Sequence, residues 1–195
     1  MHSRAKPPLP VDPRPGWVFL PVAGALIAHA PVLALDLAPG LARPLDAGAK
    51  LRGRRVLGDN KTVRGALVMF AGAAAAALGL TRARWFRERL PASVADAPPL
   101  LYAALIGTTV VVAELPTSFV KRQIGIAPGA QRRSALGAAL SLYDQGDFVL
   151  GGAVVMRAVW RPSPGELAGA WAVVSGAHLV SNVVGYAIGA RDAPI

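Results

Sequence analysis

LRGRRVLGDNKTVRGALVMFAGAAAAALGL, residues 51–80, sets two kinds of sequence side by side. From Lys50 to Gly65 there are six cations, with Gly53, Gly58 and Gly65 among them. From Ala66 to Leu80 there is no charge at all. A helix that spans a bilayer needs roughly 20 mostly apolar residues, within a range of about 17 to 25. The apolar half meets this when it begins near Val63. It has no polar face repeating every 3.6 residues, which a core helix of a soluble domain would show. A basic loop feeding a membrane span is therefore the unit from which the rest of the chain is read.

The same alternation recurs. Trp17–Leu35 is uncharged, counting His29 as neutral, and so is Ala97–Ala113, whose apolar run resumes after Glu114 as far as Val120. Phe148–Trp160 holds only Arg157, and Leu167–Ala190 is uncharged with His178 neutral. The expectation is an all-α, polytopic membrane helix bundle with about five transmembrane helices, the fourth being the shortest. The whole of 1–195 is read as a single integral-membrane domain with a polar N-terminal segment, 1–16. That segment precedes the first apolar run, and no clean small-residue cleavage site follows it, so the run is read as a retained span and not as a secretory signal. Gly72 and Ala76, and Gly185 and Gly189, have the small-xxx-small spacing that lets membrane helices approach closely.

Composition agrees. The 195 residues are 53% hydrophobic and 16% charged, yet the net charge is +10, from 21 Lys+Arg against 11 Asp+Glu. A disordered basic tail would be poor in apolar residues. With no cysteine, a disulfide framework, a thiolate metal site and a cysteine nucleophile are excluded. Nucleic-acid binding, the other use of strong positive charge, is disfavoured because the basic residues are interrupted by spans.

Five spans place residues 39–64, residues 121–147 and the C-terminus on one side. That side carries twelve Lys/Arg against eight on the other. Basic loops stay in the cytoplasm, so the chain is expected in the cytoplasmic membrane with 39–64 and 121–147 as cytoplasmic active-site loops. Two spans separate these loops, so they can share one site. The Arg82–Arg89 cluster opposes the bias. It is read as an amphipathic helix on the membrane surface with Trp85 and Phe86 turned inward.

Three motifs carry chemistry. In Leu57-Gly-Asp-Asn-Lys-Thr-Val-Arg-Gly65, glycine permits close approach to an anion that Lys61 and Arg64 would neutralise, and Thr62 can cap the following helix. A mere positive anchor would need neither Asp59 nor Asn60. In Ala113-Glu-Leu-Pro-Thr-Ser-Phe-Val-Lys-Arg122, Glu114, Ser118, Lys121 and Arg122 share a helix face by their spacing. Pro116 frees a carbonyl one turn earlier. A carboxylate inside a span is expensive and is functional by default. In Tyr143-Asp-Gln-Gly-Asp-Phe148, Asp144 and Asp147 are expected one above the other on a helix face. There they repel unless a cation lies between them, and Mg²⁺ takes a few carboxylates together with phosphate oxygens. His29 and His178 lie in different spans, with no metal-site or triad spacing. Asn182 and Tyr186, four apart in the last span, are assigned to helix packing.

These blocks resemble the CDP-archaeol synthase family, membrane cytidylyltransferases related to phosphatidate cytidylyltransferase. Leu57–Gly65 is similar to the family's Leu-Gly-Asp-x-Lys-Thr-x-Arg-Gly. Ser118-Phe-Val-Lys-Arg122 is similar to its Ser-Phe-x-Lys-Arg, and Asp144-Gln-Gly-Asp-Phe-Val-Leu-Gly151 to its Asp-Gln-x-Asp-Phe-Val-Leu-Gly. The resemblance extends from about Pro44 over most of the chain. It implies Mg²⁺-dependent transfer of CMP from CTP to a phosphatidic-acid-type lipid, giving a CDP-lipid and pyrophosphate. It puts Ser118, Lys121, Asp144 and Asp147 at the catalytic centre. Asp59, Asn60, Lys61, Thr62, Arg64, Lys121 and Arg122 would bind nucleotide and phosphate, and Asp144, Asp147 and Glu114 would bind metal. Many relatives carry Asp where this chain has Glu114. CTP, a phosphorylated lipid and the membrane are the expected partners, nucleic acid is not, and a homodimer is compatible with the reading. The alternatives are a CTP-dependent polyprenol or lipid kinase, and a small membrane transporter or lipid-binding scaffold. The latter is disfavoured by the lack of a visible inverted repeat.

Overall fold

Thr62 does what its position before the apolar run predicts: its hydroxyl accepts a hydrogen bond from the Gly65 amide at 3.0 Å and starts α3 (Val63–Leu80). A computed structural model describes residues 14–128, 135–144 and 146–187. Among these, α1 (Arg14–Trp17) and α2 (Val22–Ala34) precede a folded loop, and α3 follows it. The short helices α4 (Arg84–Arg87) and α5 (Ala92–Ala95) lead to α6 (Pro99–Val112) and α7 (Glu114–Gln123). Then come α8 (Ala135–Asp144), α9 (Asp147–Val155) and α10 (Pro164–Ala187).

The result is a helical bundle, as expected, with large apolar side chains on its outside. Ile27 and Leu100, among others, stay about three-quarters exposed, as suits a surface facing lipid. Three stretches are long and apolar enough to cross a membrane among the described residues: Pro15–Ala34, Val63–Leu80 and Pro99–Gln123. The fourth expected span is the nine-residue α9, about 14 Å long at 1.5 Å per residue, which is half a bilayer core. α10 has 24 residues.

Small residues set the helix spacing. A Cβ on Gly72 would lie 2.5 Å from the Gly24 carbonyl oxygen and 2.6 Å from the Ala28 Cβ. One on Gly24 would lie 2.5 Å from the Ala76 Cβ. The Gly72/Ala76 pair is thus the α2–α3 seam. Gly107 of α6 receives the ring of Phe70 from α3, and Gly151 and Gly152 of α9 receive Ala113 and Phe19. Gly189 lies outside the described residues. Phe19, Tyr102, Ile106, Val149, Met156 and Trp160 fill the core, and the Tyr102 hydroxyl donates to the Val18 carbonyl at 2.8 Å.

The third span parts at Ala113 into α6 and α7, as expected from Pro116, which lacks the N–H that would bond the Val112 carbonyl. Three expectations need correcting. Residues 121–147 are not a loop throughout, because α7 runs to Gln123 and α8 fills 135–144. Asp144 and Asp147 do not share a helix face. Asp144 ends α8 and Asp147 begins α9. Trp85 is about half exposed, packed edge-on to Trp17 beneath Arg89, and only Phe86 of the pair turns inward.

The seam gives a direct prediction. Gly72→Val should destabilise the protein by about 1–3 kcal/mol through overpacking, read as detergent-solubilised thermal unfolding. Gly79→Ala, where a Cβ would meet nothing within 4 Å, should raise stability by about 0.5–1 kcal/mol from helix propensity.

Candidate active site

The loop between α2 and α3 is folded along its length. Leu45 donates to the Lys61 carbonyl at 2.7 Å and Val63 to the Arg43 carbonyl at 3.0 Å, which ties the two ends together. Between them β1 (Lys50–Leu51) pairs antiparallel with β2 (Arg54–Arg55), Lys50 opposite Arg55 and Leu51 opposite Arg54. Arg52 and Gly53 turn the hairpin with φ of 51° and 78°, as a two-residue primed turn requires.

The hairpin docks on the end of α7. Arg54 donates to the Gln123 carbonyl, and the Gln123 amide returns a 3.0 Å bond to the Arg55 carbonyl. α7 stops there because Gly125 takes φ 81°. The Ile126 amide bonds the Lys121 carbonyl at 2.9 Å and the Gly125 amide the Arg122 carbonyl at 3.1 Å, a Schellman ending. Lys121 and Arg122 therefore occupy the last turn, where cations are favoured.

The two sequence-distant loops do meet. Lys61, just before α3, pairs with Glu114 at the start of α7. Lys121 pairs with Asp144 at the end of α8. Asp147 is buried with its Oδ1 unpartnered, and Glu114, Asp144 and Lys61 are the charges that act on it. Arg122 is buried with Nε and Nη1 unpartnered. Its Cδ lies 3.3 Å from where a Cβ on Gly58 would sit. Ser118 is buried on the same helix, and the buried Thr117 Oγ1 has no partner. Buried donors and acceptors left open in this way are costly unless a ligand completes them. Burial, with Asp147 and Asp144 nearby, pushes the Tyr143 hydroxyl up from its ordinary pKa.

Other expected site residues are held elsewhere. Asp59 is largely exposed and bonds Arg55 at 2.6 Å. Asn60 is exposed. Thr62 spends its hydroxyl on the α3 cap. Arg64 is buried at the α3 start, donating to Asp36 at 2.6 Å and to the Leu37 carbonyl at 2.9 Å, with Nε free. The Asn182 side chain lies outside the described residues, and Tyr186 is half exposed.

Three residues that belong to no motif also border the site. His29 of α2 sits beside the α3 start, its Nε2 3.6 Å from a Cβ on Gly65, within the fields of Glu114, Arg64 and Lys61. From α10, Trp171 and Ser175 close over Gly146: a Cβ there would fall 2.1 Å from Trp171 Nε1 and 2.7 Å from Ser175 Oγ. Only a glycine fits, so α10 dictates the residue type at the α8–α9 junction that separates the two aspartates. The sole available signal was the glycine between two carboxylates.

Among the described residues, no three His, Asp or Glu side chains are gathered closely enough to hold a metal alone. A divalent cation that takes one or two carboxylates plus substrate phosphate and water needs no such cage. The open Oδ1 of Asp147, with Asp144 and Glu114 nearby, fits that donor set.

A family model described as CarS-like, CDP-archaeol synthase, matches residues 18–195. A CDP-archaeol synthase of Halobacterium salinarum is 35% identical over 186 residues, covering 92% of this chain and 97% of that one. The Aeropyrum pernix protein of the same name is 34% identical over 185 residues, covering 91% and 95%. A solved structure described as an intramembrane enzyme for archaeal membrane lipids biosynthesis superposes with a TM-score of 0.61 at 28% identity, over 86% of this chain and 91% of that one.

The junction is testable. Gly146→Ala should lower turnover by about 100-fold, as a shift near 1 Å at reacting groups does, while the variant still unfolds cooperatively. Gly165→Ala, whose Cβ would meet nothing, should leave turnover unchanged in the same assay.

Proposed function

The chain belongs to the CDP-archaeol synthase family and is a membrane-embedded, CTP-dependent lipid cytidylyltransferase, and from that premise we propose how its residues carry the transfer. The lipid phosphate attacks the α-phosphorus of CTP. One P–O bond forms, the α–β anhydride bond breaks, and pyrophosphate leaves with the electron pair. The names of the relatives point to archaeol phosphate as acceptor.

A phosphate monoester is mostly dianionic near neutral pH, its second pKa being about 6. It needs no general base to become a nucleophile. What opposes the reaction is repulsion between two anions, so the work is electrostatic and geometric. Lys121 and Arg122 take CTP phosphate oxygens, Ser118 donates to one of them, and Lys61 closes over the nucleotide from the loop. The observation that carries this reading is Arg122, a buried guanidinium with two open nitrogens beside Gly58. Charge-assisted bonds to phosphate are the partners such a group lacks. Arg64, Asp59, Asn60 and Thr62 support the loop around the nucleotide and are not assigned direct contacts.

Asp144 and Asp147, with Glu114 assisting, would hold Mg²⁺. When bound, Mg²⁺ supplies Lewis-acid neutralisation of the phosphates. Without nucleotide, Lys61 and Lys121 neutralise Glu114 and Asp144. When nucleotide arrives, both lysines have phosphate to turn to, and the carboxylates are released.

The excess of basic residues on the loop side supports a cytoplasmic-membrane location with the site facing the cytoplasm. The whole chain is read as one unit with five membrane-inserted helical segments, α9 entering only partway, and as compatible with a homodimer.

Purified Asp144→Asn and Asp147→Asn variants should each lose CTP incorporation by at least about 100-fold, an electrostatic contribution of the usual size. Normal turnover by both overturns the metal assignment. With CTP labelled on the base or on the γ-phosphate, cytidine should appear on the lipid; γ-phosphate there would mean a kinase. Ether-linked acceptors should outcompete ester-linked phosphatidic acid in the same assay.

A further inference from the structure

Asp46 lies outside every motif, yet its side chain is only 2% exposed and has five donors on it. Oδ2 accepts from the Leu57 amide at 2.9 Å, the Gly58 amide at 3.1 Å and Arg55 Nε at 3.3 Å. Oδ1 accepts from Arg55 Nη2 at 2.6 Å and the Gly48 amide at 3.1 Å. The Arg55 bond and the backbone amides hold this carboxyl well below the usual carboxylate range, so it is ionised at any working pH.

What Asp46 grips is the start of the Gly58–Thr62 turn. Gly58, at φ 96°, is the residue packed on Arg122. The remaining Arg55 nitrogen, Nη1, holds Asp59 at 2.6 Å, and the Arg55 carbonyl is held by Gln123, the neighbour of Arg122. One buried carboxylate thus fixes two consecutive amides and one guanidinium. The guanidinium fixes the next residue of the turn, and Gln123 fastens the assembly to α7.

We infer that Asp46, acting through Arg55 and Gln123, is a positioning element of the nucleotide site: it holds the Gly58–Thr62 turn against Arg122 and delivers Lys61 to the face of α7. The inference rests on the reading of Lys61 and Arg122 as ligands of the triphosphate. Neutralising Asp46 turns one oxygen into an amide that faces donors and takes away the countercharge of Arg55. The turn loosens, and CTP must then order it on binding. The loss falls on CTP affinity and leaves the acceptor lipid alone.

The test uses the full chain in detergent or nanodiscs, with Asp46→Asn, Gln123→Leu and, in parallel, Lys61→Gln. Asp46→Asn should raise the KM for CTP about tenfold, with kcat and the KM for lipid within about twofold of wild type. Amide exchange at Leu57 and Gly58 should quicken. Gln123→Leu should shift the CTP KM in the same direction, and it decides the matter if Asp46→Asn fails to fold. Wild-type CTP KM in the folded variants, or parallel loss of kcat and both KM values, overturns the inference. If Lys61→Gln raises the CTP KM and the other two do not, the positioning role alone fails. If Lys61→Gln also leaves it unchanged, the loop is not part of the nucleotide site and both readings fall.

Discussion

Charge at the end of an apolar bundle has to be paired, and here the pairing runs between elements. Lys61, from the loop before α3, meets Glu114 at the head of α7, and Lys121 of α7 meets Asp144 at the tail of α8. Each pair joins segments far apart in sequence, so each acts as a positional restraint as well as a neutralisation. Such pairs add little net stability once desolvation is subtracted, whereas a lone partner left behind is strongly destabilising. The arrangement is therefore sensitive to loss of either member, and Asp147 and Arg122 are among the buried groups that it leaves open to a ligand.

Those pairs form only because the helices beneath them approach closely. Gly24 against Gly72, and Phe70 in the space left by Gly107, bring α2, α3 and α6 together. Gly151 and Gly152 let α9 lie on Ala113, Thr109 and Phe19, and this carries Asp147 to the start of α7. In lipid no hydrophobic force drives apolar helices together, so close contact between small residues takes that place. The bundle and the site are one problem: the glycines that permit packing also fix where the carboxylates end.

Much of this was legible in the sequence. Uncharged runs of the right length announced the helices, Thr62 announced the α3 cap, and the parity of spans allowed residues 39–64 and 121–147 to share one site. Other features were not legible. Spacing alone made Asp144 and Asp147 helical neighbours, because nothing local shows that α8 ends at Asp144 or that Trp171 and Ser175 pack against Gly146. Trp85 follows helical logic only if its helix is long, and α4 has four residues. Asp46 escaped notice because a single carboxylate forty-odd residues into a chain carries no periodic signal; its importance arises from five donors that a hairpin turns toward it.

The sequence by itself determined the class of molecule, an apolar bundle with cationic ends, and the residue types of its chemistry. Hydropathy and charge are sums over local composition, so they survive without coordinates. Tertiary structure alone decided which cation serves which carboxylate, that α8 and α9 part between the two aspartates, and that the basic loop is a clamped hairpin seated on α7. Those outcomes depend on close approach and on the filling of particular volumes, which are properties of pairs of distant residues and are written in no single stretch of the chain.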